Sequence, residues 1–147
     1  MEEEPLLEPG LHDFELEEIG NHFLNSFPDS ITRKPLIKGL SAYIARLSKI
    51  GLPLELWIDG SFTTNKKDPN DIDLVFFAPA VLINALPPKS QNLLSVLTDR
   101  ATIRTKFGCD VLFSPTEDSN MRSYWRGWYG FDRNEQPKGI ARVLVTP

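Results

Sequence analysis

The stretch from Leu56 to Phe77, LWIDGSFTTNKKDPNDIDLVFF, constrains the whole chain: two apolar runs flank a polar segment that opens on Gly60-Ser61 and closes on Asp71-Ile72-Asp73. Leu54–Ile58 predicts one strand. Ile72–Phe77, nearly continuous in its apolar character, predicts a second, central strand buried on both faces. Side chains alternate along a strand, so Asp71 and Asp73 at its entrance share a face, their Cα atoms roughly 7 Å apart. A sheet with two carboxylates at its end is therefore the first requirement on the fold.

The rest of the chain supplies helices to cover that sheet. Phe14, Leu16, Ile19 and Phe23 predict a short helix from near Asp13 to Leu24, after a turn at Pro9-Gly10. Leu36, Leu40, Tyr43, Ile44 and Leu47 recur at helical spacing from Thr32 or Arg33 to Lys49, with Pro35 in the first turn and Gly51 beyond the end. Ala78 to Pro88 is left without an element. Ser90 to Lys106 predicts a helix in one or two pieces on Leu93, Leu94, Leu97 and Ile103, ended by Gly108. Cys109–Phe113 predicts a third strand, with Asp110 inside an otherwise apolar run. Ser119–Trp128 fits a helix capped by Asp118 or Ser119, or an aromatic strand. A turn at Asp132–Gly139 leads to a last strand, Ile140–Val145. Together these predict an α+β fold, a mixed sheet packed against helices, as one domain over residues 10–147 behind a flexible acidic leader, residues 1–9.

Charge and composition narrow the classes. Residues 1–30 hold nine of the 20 acidic residues and no Lys or Arg, so residues 31–147 carry all 16 basic residues against 11 acidic ones, a net +5 within a chain of net −4. A mildly basic body suits a phosphate-bearing ligand as well as an ordinary solvated surface. No apolar run approaches the about 18 residues of a membrane span, and the acidic start is unlike a secretory signal, so a cytoplasmic protein without membrane contact is expected. The single Cys109 rules out an internal disulfide, and only two histidines, His12 and His22, argue against a zinc site.

Carboxylates inside or at the ends of apolar strands are costly unless they are paired or hold a metal, and Asp71, Asp73 and Asp110 all stand in such places. Three converging oxygen ligands suit Mg²⁺, or Mn²⁺ in its place. Phosphoryl-transfer sites use such acids to hold metal ions, and Asp110 is also a candidate general base. Gly60 after the first strand lets the backbone approach a phosphate, and the Ser61 hydroxyl can help hold its oxygens, with Lys66 adding charge nearby. A calcium loop starting at Asp68 is excluded, since its twelfth position is Pro79 where a glutamate is needed.

A hydrophobic strand, Gly60-Ser61, nine intervening residues, Asp71-Ile72-Asp73 and a later apolar strand with Asp110 resemble the polymerase-beta-type nucleotidyltransferase superfamily. Within it the chain is similar to the small bacterial minimal nucleotidyltransferases. It is more similar still to an uncharacterised nucleotidyltransferase-like family of like length, through Pro9-Gly10-Leu11-His12, WIDGSF with its two aspartates, and Asp132-Arg133 with Pro137-Lys138-Gly139-Ile140. The resemblance implies transfer of a nucleoside monophosphate from an NTP to a hydroxyl of RNA or protein. It implies that Asp71, Asp73 and Asp110 bind metal, that Gly60 and Ser61 face phosphate, and that Arg133 and Lys138 are further phosphate contacts. A helical partner protein and a toxin-antitoxin or phage-defence setting are implied by the family alone. The alternative is a catalytically degenerate module of the same fold that binds a partner protein or a nucleotide.

Other residues have a plain structural account. Asp59, where the superfamily more often has an apolar or neutral residue, fits a hairpin turn with Gly60. Arg100 and Arg104, one helical turn apart, are expected on a solvated helix face, and Tyr124, Trp125 and Trp128 in the core.

Overall fold

The computed structural model describes residues 4–131 and 137–146. Its centre is the pair predicted from the apolar runs: β2 (Leu54–Asp59) lies antiparallel to β3 (Ile72–Ala78). β5 (Gly139–Val145) adds antiparallel to β2, and β4 (Cys109–Pro115) adds parallel to β3. β1 (Gly10–Asp13) closes the far edge parallel to β5, giving the order β1-β5-β2-β3-β4. The sheet is mixed and the class is α+β.

The helices divide unequally between its faces. α1 (Leu16–Phe23), α2 (Arg33–Ser48), α4 (Pro88–Leu97) and α5 (Arg100–Phe107) press Ile19, Leu40, Leu47, Leu97 and Ile103 onto Leu56, Ile58, Leu74 and Phe76 to form the main core. α2 and α5 approach so closely that a Cβ at Gly39 would overlap the Phe107 carbonyl oxygen. Gly108, at φ +72°, takes the left-handed conformation that ends α5. α6 (Ser119–Tyr129) alone packs on the other face, where Trp125 and Tyr129 meet Trp57, Val75, Phe77 and Ile140. Its start is capped by Asp118, which accepts from the Met121 amide at 3.0 Å, so the helix prevails over the aromatic strand.

Three local expectations change. Gly10 begins a strand instead of a turn; GLHD carries no period-two apolar pattern, and its conformation comes from pairing with β5. A short helix, α3 (Ala80–Asn84), fills the stretch after β3, with none of its residues buried. Tyr124 and Trp128 point to solvent, 54% and 65% exposed, because the inward stripe of α6 is set by Trp125 and Tyr129. Most of the turn expected at Asp132–Gly139 lies outside the described residues. The acidic start, as far as it is described, is tied down: the Leu6 amide donates to Thr63 at 2.9 Å and the Asn65 amide to Glu4 at 2.8 Å.

Those contacts meet a loop anchored from within by Arg33, a fully buried side chain at the first turn of α2. Its guanidinium donates to the carbonyls of Phe23 (2.9 Å), Phe62 (2.8 Å), Thr64 (2.7 Å) and Lys66 (2.7 Å), and lies 3.8 Å over the Phe27 ring. Burial lowers its pKa to about 10, with Asp68 opposing the shift. Asp68 in turn accepts from the Ile31 amide at 2.7 Å and the Ser30 hydroxyl at 3.0 Å, joining the loop to the start of α2. Arg33→Met removes the donor from four buried or half-buried carbonyls at once. It is expected to destabilise the fold by about 3 kcal/mol or more, read from urea unfolding, with amide exchange protection lost first between residues 60 and 66.

Candidate metal centre and its counter-ions

Strand alternation decides which way the acids face. Leu54, Leu56 and Ile58 of β2 enter the main core while Trp57 enters the cluster under α6, and Asp59 shares the parity of Trp57. In β3 Asp73 shares the parity of Val75 and Phe77, and in β4 Asp110 that of Leu112. All three acids therefore lie on the α6 face. The ladder also aligns them: Asp59 is opposite Asp73 across the antiparallel pair, and Asp73 is opposite Asp110 across the parallel pair. Three neighbouring strands thus end in a row of carboxylates, and Asp71, two residues before Asp73, adds a fourth.

Of these, Asp71, Asp73 and Asp110 each present a carboxylate oxygen with all three oxygens within 4.8 Å of one another. The three sequence-predicted ligands are brought together, on a partly buried patch of hard oxygen donors that fits a divalent cation. Such proximity is electrostatically expensive. Burial, then the negative charges of Asp71 and Asp110, push the Asp73 pKa up to about 6, against the opposing charges of Lys138 and Arg104. Burial, and after it the charge of Asp71, likewise pushes the free Cys109 thiol up to about 12.

Two arginines of α5 meet the outer acids. Arg104 contacts Asp71 at 3.0 Å, and Arg100 grips both oxygens of Asp110, from Nε at 3.0 Å and from Nη2 at 3.1 Å. They are not on a merely solvated helix face: their stems are exposed but their heads neutralise the cluster. A signal for this was present, since residues one helical turn apart present a paired cationic edge.

Gly60 opens a 3-10 turn, Gly60–Thr63, at φ +81°, and a Cβ there would collide with the Asp73 carboxylate. Glycine is required twice, by the left-handed backbone and by the close approach of Asp73. Ser61 is half-buried at the head of this turn; its carbonyl accepts from the Thr64 amide at 3.1 Å, and its hydroxyl makes no hydrogen bond among the described residues. Lys66 lies further along the loop, where its carbonyl meets Arg33. Arg133 lies outside the described residues.

Lys138 does not stand open for phosphate. Its ammonium sits 3.0 Å from Asp59, which is fully buried and also accepts from Thr63 Oγ1 at 2.9 Å. Burial outweighs these partners and lifts the Asp59 pKa to about 6, and Oδ2 of Asp59 has no hydrogen-bond partner among the described residues. Asp59 is therefore an interior ion-pair partner and not a hairpin cap. Tyr129, buried on the same face, has its phenol pKa raised by burial and then by the charges of Asp73, Asp59 and Asp110. Sequence reasoning passed over Tyr129 and Arg33, since neither stands in a local pattern that marks it.

The Asp73 shift has a sign for stability. Its folded pKa exceeds the unfolded value of about 3.9, so ionisation subtracts stability as pH rises from about 4 through 6. Asp73→Asn is expected to raise the melting temperature of the metal-free protein above pH 7 and to leave it nearly unchanged at pH 4, as scanning calorimetry would register.

No curated protein and no solved structure matches the chain. A family model does, over residues 1–144, so it spans the paired strands, the Gly60 turn and all four acids. The chain belongs to DUF6932, a family of unknown function.

Proposed function

We propose that this protein is a Mg²⁺-dependent nucleotidyltransferase that moves a nucleoside monophosphate from an NTP to a hydroxyl of RNA or protein, forming the new phosphoester as the α–β phosphoanhydride bond breaks and pyrophosphate leaves. The observation that carries this reading is the convergence of Asp71, Asp73 and Asp110, with oxygens within 4.8 Å, beside the Gly60 turn. Asp71, Asp73 and Asp110 would hold the cation, which when bound supplies charge stabilisation to phosphoryl oxygens. Gly60 keeps the space over Asp73 free of a side chain, and the Ser61 hydroxyl offers a donor to a phosphate oxygen there. Asp110 stands on β4, the edge strand, where an incoming hydroxyl can reach it; once Arg100 leaves its carboxylate, Asp110 can accept the hydroxyl's proton. Arg100 and Arg104, released from the acids, become available to the phosphates of the nucleotide.

The pairing of both outer acids with arginine also favours a second reading, a catalytically silent module whose acid cluster is permanently self-neutralised. The two readings separate when the protein is incubated with each labelled NTP and Mg²⁺, together with tRNA or candidate protein acceptors. Transfer of label that disappears in Asp71→Asn and Asp73→Asn is the expected result. No labelled acceptor, and no metal-dependent nucleotide binding, would leave the module reading in possession.

The arginines make a further expectation independent of turnover. If they compete with a cation for the acids, Arg104→Gln should tighten Mn²⁺ binding by about 5-fold, the worth of an exposed pair near 1 kcal/mol, as isothermal titration would measure. The same variant should weaken binding of the Mn²⁺-nucleotide complex.

A further inference from the structure

Among the described residues, Arg100, Arg104 and Lys138 answer the four carboxylates, and they are held in different ways. Arg100 and Arg104 reach in from α5 with side chains 59% and 61% exposed, and pairs of that kind exchange readily with solvent ions. Lys138 is 11% exposed and its partner Asp59 not at all, so their pair cannot open without leaving a buried charge unanswered. The lysine is pinned from its backbone as well. Its amide donates to the Gly130 carbonyl at 2.8 Å, and the amide of Gly139 donates to Leu7 at 3.2 Å. A flexible four-carbon stem is thereby given a fixed root and a fixed tip.

The tip lies beside the metal-binding acids. Asp59 and Asp73 are directly opposite in the antiparallel ladder and on one face, which sets their Cβ atoms about 5 Å apart. The Asp73 carboxylate also leans over Gly60, the residue next to Asp59, so that a Cβ there would lie 2.3 Å from Asp73 Oδ2. The Lys138 ammonium, 3.0 Å from Asp59 Oδ1, is therefore one carboxyl group away from Asp73. Asp59 makes a costly clamp: Oδ1 takes both Lys138 and the Thr63 hydroxyl, while Oδ2 is buried with no hydrogen-bond partner among the described residues. A pair kept only for stability gains little over apolar residues of like volume. What this one secures is a positive charge at a fixed position on the acid face.

Two divalent ions in a phosphoryl-transfer site stand about 4 Å apart. On the β2 side of Asp73 that place is already taken up by an ammonium, and a second divalent ion there would meet a fixed like charge in half-dry surroundings. We propose that Lys138, clamped by Asp59, is the built-in second cation of this centre, so that Asp71, Asp73 and Asp110 take one divalent ion where a two-ion site would take two. In the transfer reaction the ammonium gives positive charge on the β2 side without a metal. That share in the reaction rests on the nucleotidyltransferase reading; the ion count does not.

The test counts Mn²⁺ on the full chain by isothermal titration and electron paramagnetic resonance, first with Mn²⁺ alone and then with saturating α,β-methylene analogues of the NTPs. The wild-type chain should bind one ion when Mn²⁺ is added alone, and show no spin-coupled pair with or without nucleotide. Lys138→Met should bind two ions, and its melting temperature, lowered in chelator by the unpaired Asp59, should rise with Mn²⁺ by more than that of the wild type. Lys138→Arg, which keeps the charge, should stay at one. A merely structural lysine would give the same count in all three and no extra recovery with metal. A spin-coupled pair in the wild-type chain, no bound Mn²⁺ there, or a single ion in folded Lys138→Met would overturn the proposal. Should Lys138→Met not fold, the wild-type spectrum with nucleotide decides it. One bound ion without label transfer would sink the transferase reading alone, and label transfer with a spin-coupled pair the built-in cation alone.

Discussion

Four carboxylates gathered at one end of a sheet set the terms on which this structure exists. Apolar strands bring Asp59, Asp73 and Asp110 into line, and Asp71 follows at the entrance of β3. Like charges at such separations, half-removed from water, oppose folding unless cations answer them. The answers come from different parts of the chain: Arg100 and Arg104 from α5, and Lys138 from the approach to β5. The centre of the row, Asp73, has no ion pair of its own among the described residues, and burial with the neighbouring negative charges disfavours its ionised form. A site that repels itself and is restrained by removable partners is suited to take up a cation.

That site depends on a second, quieter constraint. The loop from Gly60 to Asn70 has few apolar residues to hold it, yet it must keep Gly60 against Asp73. Arg33 supplies the rigidity by collecting four carbonyls around one guanidinium, and Asp68 binds the loop to the start of α2. Hydrogen bonds to a buried charge are stronger than neutral ones, and the planar fork suits several carbonyls at once. A methionine or leucine of equal bulk would fill the space and leave the loop unheld.

Much of this was legible in the sequence because it follows from local periodicity. The continuous apolar character of Ile72–Phe77 marked a strand buried on both faces, and Asp73 within it marked a carboxylate in a costly place. Gly60 was legible as a close-approach glycine, although what approaches it, Asp73, was not. Asp59 read equally well as the corner of a hairpin, since nothing local to LWIDGS reveals a lysine 79 residues further on. The aromatic residues of α6 misled for a related reason: composition shows that rings are present, but which stripe faces inward depends on the surface the helix meets.

By itself, then, the sequence determined the strands, the principal helices, and the three acids and glycine turn that belong together, because each follows from period, breaker and charge along the chain. Only the tertiary structure decided the pairing register that puts Asp59, Asp73 and Asp110 in one row, and the partners that restrain them. Only it decided that Arg33 is interior and Trp128 exterior. These are contacts between residues far apart in sequence, created when the sheet closes. The energy of an ion pair or a buried guanidinium depends on the dielectric and the neighbours found there, which no local window of sequence contains.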